Sequence, residues 1–234
     1  MKQILICGGS AGLGLAFAKG IPQDGDQVWV NSRRPPDLPD SMTGVRYSWI
    51  GGSLSDPATV TKICQELKGE PLDAFIFSAG TWESSQDLSN VSPSEIYEIL
   101  SVNAAAFVGL AVGLRENLSR SGNARVIAIG STAGLENATG PRAAYAASKF
   151  AVRGAVHSLR EFYRGDPIGV TVISPGGLAS DIDLERGEEA ALEAHDAGRI
   201  PSTDVLRIVR AILSLSVATD VKEIDLPARK DHGV

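Results

Sequence analysis

The apolar run Gln3–Cys7 passes without interruption into Gly8-Gly9-Ser10-Ala11-Gly12-Leu13-Gly14, and a helical pattern follows over Gly12–Gly20. A short apolar run stopped by glycine predicts a buried strand, so the first twenty residues read as strand, tight turn and helix. Glycines let a backbone turn sharply and approach a ligand closely. The helix that follows offers unpaired N–H groups and the positive end of its dipole to a pyrophosphate. The spacing is Gly-x-x-x-Gly-x-Gly, which differs from the common Gly-x-Gly-x-x-Gly fingerprint. Alone, the turn fits a dinucleotide site or a tight turn that binds nothing.

The rest of the chain repeats the strand–helix alternation. Further strands are predicted at 28–30, 45–50, 73–78, 125–130, 168–174 and 223–226. Helices are predicted at 57–68, 92–118, 141–163 and 202–215. Asp56-Pro57 and Ser92-Pro93, the latter followed by Glu95, are helix-start signals. Pro35, Pro36 and Pro39 exclude regular structure from 33–40. Residues 81–91 and 131–140 read as connections, and 178–201 as an acidic, less regular segment with helical pieces. This order implies βαβ units: an α/β, Rossmann-type doubly wound parallel sheet of about seven strands with helices on both faces, in one domain spanning 1–234.

Bulk properties narrow the function classes. The chain has 234 residues, 43% hydrophobic and 21% charged, a globular balance with room for a sizeable core. Its net charge of -6 argues against a nucleic-acid partner, which calls for a basic surface. No apolar run is expected to reach the length of a membrane span, and the N-terminus does not read as a signal peptide. Cys7 and Cys64 have no metal-ligand spacing and read as reduced thiols of a cytoplasmic protein. His157, His195 and His232 are scattered, so no metal is expected.

Two local patterns carry chemistry. Tyr145 and Lys149 stand four apart in an alanine-rich helix and therefore share a face. An ammonium beside a phenol favours phenolate and is expected to lower the tyrosine pKa. The second pattern, Ser32-Arg33-Arg34, follows the second strand, where an NAD site places a carboxylate for the ribose. Guanidinium groups suit a phosphate, so NADP(H) is expected over NAD(H).

Taken in order, these motifs resemble the short-chain dehydrogenase/reductase family over nearly the whole chain. The glycine turn matches the family's Thr-Gly-x-x-x-Gly-x-Gly, with Cys7 in place of threonine. Ser78-Ala79-Gly80 stands where the family has Asn-Ala-Gly. Asn103 falls at the family's helix asparagine and Ser131 at its serine. Tyr145-Ala-Ala-Ser148-Lys149 matches Tyr-x-x-x-Lys, and Pro175-Gly176 matches the turn after the sixth strand. Cys7 and Ser78 depart from residues that brace the cofactor loops, and Ser53 replaces an aspartate near the adenine.

The resemblance implies a catalytic set of Asn103, Ser131, Tyr145 and Lys149. In carbonyl reduction Ser131 would bond the carbonyl oxygen, Tyr145 would deliver the proton, Lys149 would acidify Tyr145 and hold the ribose, and Asn103 would position a relay water. The implied cofactor contacts are Gly8, Ser10, Ala11, Gly12, Leu13, Gly14, Ser32, Arg33, Arg34, Ser53, Leu54, Ser78, Ala79, Gly80, Tyr145, Lys149, Pro175, Gly176, Leu178 and Ser180. Residues 177–201 would form a substrate lid, with Trp82, Leu135 and Ala138 adding apolar surface. The expected function is interconversion of a carbonyl and an alcohol on a small organic substrate, by a homodimer or homotetramer without nucleic-acid or membrane partners. The alternative is a non-catalytic NADP(H)-binding sensor or scaffold with the same fold.

Overall fold

The computed structural model describes residues 1–38, 44–136 and 140–231. Seven strands form one parallel sheet: β1 (Gln3–Cys7), β2 (Gln27–Ser32), β3 (Arg46–Gly51), β4 (Ala74–Phe77), β5 (Ala124–Ile129), β6 (Ile168–Pro175) and β7 (Glu223–Leu226). Their order is β3-β2-β1-β4-β5-β6-β7, and every pairing is parallel. The chain runs outward from β1 to one edge, then returns beside β1 as β4. That reversal opens a crevice at the carboxyl ends of β1 and β4, where open α/β sheets bind ligands.

Alternate strand residues feed two apolar layers. Leu5, Cys7, Phe75, Phe77, Val126 and Ala128 face α2 (Pro57–Glu66), α4 (Ala106–Gly113), α5 (Arg115–Ser121) and α6 (Ala143–Phe162). Ile4, Ile6, Ile76, Ile127 and Ile129 face α1 (Gly12–Gly20) and α8 (Ser202–Ser214). A parallel sheet covered on both faces needs such strands, and β4 and β5 are buried along their whole length.

Helix starts follow their sequence signals. The Asp56 side chain accepts from Ala58 N–H at 2.9 Å with Pro57 in the first turn, and Ser92 Oγ accepts from Glu95 N–H at 3.2 Å. The predicted helix over 92–118 is not one uniform helix. It comprises α3 (Pro93–Leu100), a π-helical turn at Ser101–Ala105, α4, and after a break at Leu114, α5. No local residue signals the π turn; its centre, Asn103, is fixed by tertiary hydrogen bonds.

A second expectation also needs correction. The stretch Pro93–Gly113 is 21 residues long and contains an 18-residue window of mean hydropathy 1.6, long and apolar enough by length and composition to cross a membrane. Here it lies along the sheet, with Ile99, Ala106, Phe107 and Leu110 in the core and Tyr97, Val108 and Val112 outward.

Residues 178–201 contain a 3-10 turn at Leu184–Arg186 and α7 (Gly187–Ala194). The acidic groups there are largely paired. Asp181 meets His195 at 2.9 Å and Arg199 at 3.8 Å, Glu185 accepts from Lys19 at 2.6 Å, and Glu188 accepts from Arg207 at 2.5 Å. Ala138 and His232 lie outside the described residues.

Candidate active site

A cavity of about 570 Å³ follows the crevice from the first turn to the exposed indole of Trp82. Its floor is the glycine turn. A Cβ on Gly14 would stand 2.1 Å from the Gly8 carbonyl oxygen, and one on Gly8, at φ +86°, would stand 2.6 Å from Ala79 Cα. Neither position admits a side chain, so bare backbone lines this end. Asn31 fixes the turn: its carbonyl accepts from Gly8 N–H at 2.9 Å and Gly9 N–H at 3.2 Å, while its side chain donates to the Ile50 carbonyl at 2.9 Å.

Most residues anticipated as cofactor contacts line this cavity: Gly8, Ser10–Gly14, Ser32, Arg33, Ser53, Leu54, Ser78–Gly80, Tyr145, Lys149, Pro175, Gly176, Leu178 and Ser180. Arg34 does not; its carbonyl accepts from Ser32 Oγ at 2.5 Å, and its side chain is exposed. Ser53 Oγ sits 2.9 Å from Ser55 Oγ on the wall. An exposed-backbone cradle beside the N-terminus of α1, in a cavity this long, fits a dinucleotide.

Ser131, Tyr145 and Lys149 line the same cavity and lie together, with Ser131 hydrogen-bonded to Tyr145 and Lys149 Nζ 5.5 Å from the centre of the Tyr145 ring. Ser131 follows β5, and its Oγ accepts from Ala133 N–H at 3.1 Å. Tyr145 and Lys149 project from the first turns of α6. Lys149 is buried and donates from Nζ to the Ile129 carbonyl at 2.9 Å. Burial pulls its pKa from the usual 10.5 down to about 8.

The expected acidification of Tyr145 is not what the structure gives. Its pKa is raised, first by burial and then, in part, by the Glu83 charge; a hydrogen bond with Ser131 and the Arg142 charge pull the other way. Desolvation wins because the phenol is largely enclosed and the lysine donates to a carbonyl of β5.

Asn103 lies outside the cavity wall and is fully buried. Its Oδ1 accepts from Thr81 N–H at 2.8 Å, and its Nδ2 donates to the Thr81 carbonyl at 2.8 Å and Ser148 Oγ at 2.9 Å. The side chain therefore ties the π turn to the loop after β4 and to α6.

The residue that sequence reasoning missed is Glu83. It is buried, and its Oε1 accepts from Ala144 N–H at 2.7 Å and Tyr145 N–H at 3.1 Å. No local spacing signals a contact across 61 and 62 residues. Glu98 and Val102 also line the cavity without having been anticipated there, and Asp181 reaches it from the segment expected as the lid.

Sequence comparison agrees with this architecture. The family model of the short chain dehydrogenases matches residues 2–191, and the chain belongs to that family. An uncharacterized oxidoreductase of Mycobacterium tuberculosis is 29% identical over 190 residues, covering 77% of this chain and 75% of that protein. The 3-oxoacyl-[acyl-carrier-protein] reductase MabA of Mycobacterium bovis is 26% identical over 236 residues, covering 100% and 93%. Among solved structures, 4-hydroxyisoleucine dehydrogenase complexed with NADH superposes with a TM-score of 0.82 at 20% identity, covering 100% of both chains. A metagenomic short-chain oxidoreductase in complex with NADP gives 0.77 at 20%, covering 97% of this chain and 96% of that one. The protein is thus an oxidoreductase of the short-chain dehydrogenase family, with a fold shared by nicotinamide-binding enzymes.

Proposed function

We propose that this protein is an NADP(H)-dependent reductase that interconverts a carbonyl and an alcohol on a small organic substrate. The observation that carries the reading is that Ser131, Tyr145 and Lys149 line the same cavity as the bare glycine backbone of the first turn. When bound, the nicotinamide dinucleotide supplies or accepts the hydride. Gly8, Ser10–Gly14, Ser78–Gly80, Pro175, Gly176, Leu178 and Ser180 would hold it, with Ser53 and Leu54 toward the adenine and Lys149 toward the nicotinamide ribose.

The chain's own groups manage the oxygen and its proton. The Ser131 hydroxyl donates to the substrate oxygen as negative charge develops there. Tyr145 gives that oxygen its proton; a phenol whose pKa is raised arrives protonated at neutral pH, which suits reduction. Lys149 supplies a positive charge at the floor of the site. Asn103 acts by bracing the π turn, the loop after β4 and α6 around these groups.

Ser32 and Arg33 on the cavity wall support selection of the 2′-phosphate, since Arg33 offers a planar multi-donor cation where a carboxylate would favour NAD. Residues 177–201, within one domain spanning 1–234, act as the lid; Leu178, Ser180 and Asp181 reach the wall from it. The exposed apolar residues Tyr97, Val108 and Val112 on α3–α4 and Phe150 and Phe162 on α6 support a homodimer or homotetramer built on those helices. Two free cysteines fit a reducing compartment, the cytoplasm.

The test is turnover of NADPH with a panel of ketones, aldehydes and quinones, by wild type and Tyr145→Phe. Turnover by wild type, lost in the variant while NADPH still binds, supports the reading. No turnover with any compound despite bound NADPH overturns it.

A further inference from the structure

The start of α6 presents an imbalance. A helix N-terminus leaves backbone N–H groups unpaired, and a serine, threonine or asparagine at its cap satisfies them locally. The α6 cap residue is Arg142, and its side chain makes no capping bond. Glu83 does the work from the loop after β4, accepting from Ala144 and Tyr145 N–H through Oε1. Its neighbour Trp82 stays exposed, while Glu83 itself is only 4% exposed. The second oxygen, Oε2, is buried without a hydrogen-bond partner among the described residues. Burying a carboxylate with half its acceptor capacity unused is costly, whereas a neutral cap at 142 would satisfy N–H groups of the first turn without that cost. The negative charge therefore has a use beyond capping.

That charge acts on the phenol of Tyr145, the residue whose backbone N–H the same carboxylate binds. We propose that Glu83 is a positioning residue for Tyr145: it anchors the first turn of α6 and sets a negative charge beside the phenol, which keeps Tyr145 in its proton-donating form. The inference rests on the assignment of Tyr145 as the proton donor. The groups facing the phenol are Arg142 and Lys149 from α6, Ser131 from the loop after β5 and Glu83 from the loop after β4. The other charged residues on the cavity wall are Arg33 after β2, Glu98 on α3 and Asp181 in the lid, the last paired with His195 and Arg199. Arg142 also lies 5.8 Å over the Trp82 ring, so the two opposing charges enter the site from adjacent points of one loop–helix junction. Burial raises the Tyr145 pKa first; Arg142 favours phenolate, and Glu83 opposes Arg142.

Because the chain has only four tyrosines, the Tyr145 phenol can be titrated directly. Ultraviolet absorbance of phenolate is followed against pH in the full-length protein, and the Tyr145→Phe curve is subtracted. Glu83→Gln keeps an acceptor for the two N–H groups and removes the charge. Its Tyr145 midpoint is expected to fall relative to wild type, by less than burial raises it, because a nearby negative charge penalises phenolate. The alkaline rise of alcohol oxidation moves down by the same amount. Glu83→Ser is a second uncharged variant, read the same way should Glu83→Gln fail to fold. A midpoint unchanged from wild type in the folded variant, with any loss of turnover tracking only a lower Tm, overturns the proposal. Wild type and Tyr145→Phe equally inactive with bound NADPH would sink the catalytic reading instead, and the titration would still report on Glu83.

Discussion

Lys149 Nζ lies 5.5 Å from the centre of the Tyr145 ring and donates at 2.9 Å to the carbonyl of Ile129, the last residue of β5. The pair shares a helix face, but the lysine is committed to the sheet and the phenol answers mainly to its burial. This arrangement governs the expected pH behaviour.

Tyr145 is protonated well past neutrality because its pKa is raised. Carbonyl reduction, which needs the phenol, is expected to hold its rate across neutral and mildly alkaline pH. Alcohol oxidation, which needs the phenolate, is expected to climb with pH over the same range. Tyr145→Phe should lower both by about 10²–10⁴-fold, the usual contribution of a positioned acid–base group. Steady-state rates of wild type and variant across pH check this; an oxidation rate independent of pH would count against it.

Lys149 ties stability to pH. Its folded pKa of about 8 lies below the 10.5 of an exposed lysine, so between these values the unfolded chain binds more protons than the native one. Stability contributed at this site therefore rises with pH through about 8 to 10.5 and is penalised uniformly below. At ~1.4 kcal/mol per unit, the penalty at neutral pH amounts to a few kcal/mol. Lys149→Met, which cannot titrate, should lose its advantage over wild type across that window. Urea denaturation of both proteins at neutral pH and near pH 10 tests it, and a constant difference would refute it.

Arg33 lines the cavity and Arg34 does not. Arg33→Ala is expected to weaken NADPH binding by about 10–100-fold, equivalent to ~1.5–3 kcal/mol for hydrogen bonds to a charged group, and to leave NADH binding unchanged. Arg34→Ala should stay within about fivefold, the limit for an exposed charge. Fluorescence titration with both cofactors decides; equal losses of NADPH and NADH in Arg33→Ala would contradict the assignment.

Arg125 is a structural counterpart at the opposite end of the sheet. Buried at the start of β5, it donates to the carbonyls of Leu215, Ser216 and Thr219 just past α8 and to Asn123 Oδ1. Arg125→Met should destabilise the protein by ~3 kcal/mol or more, since four hydrogen bonds from a charged donor are lost, although Leu215 keeps Asn123 Nδ2 and Ser216 keeps Thr219 N–H as donors. Activity per folded molecule should not change, because this end of β5 is remote from the cavity. Denaturant midpoints paired with kcat/KM measure both halves of the statement.

Much of the fold follows from local pattern. Gln3–Cys7 forms a strand where its apolar run predicts one, Glu223–Leu226 forms the expected short last strand, and Pro57 and Pro93 open helices behind Asp56 and Ser92. These signals are legible because backbone preference and side-chain period act within a few residues. The π turn at Asn103 is not legible, because bonds to Thr81 and Ser148, 22 and 45 residues away, create it.

The same division runs through the site. The sequence by itself determined which groups could do chemistry: a bare glycine turn, a Tyr145–Lys149 pair at helical spacing, and Ser131 after a strand. Only the tertiary structure decided their state. Burial, rather than the neighbouring lysine, sets the direction of the Tyr145 shift, and Glu83, brought in from a different loop, caps its helix. Dielectric and long-range charge are properties of what surrounds a residue in space, and spacing along a chain does not contain them.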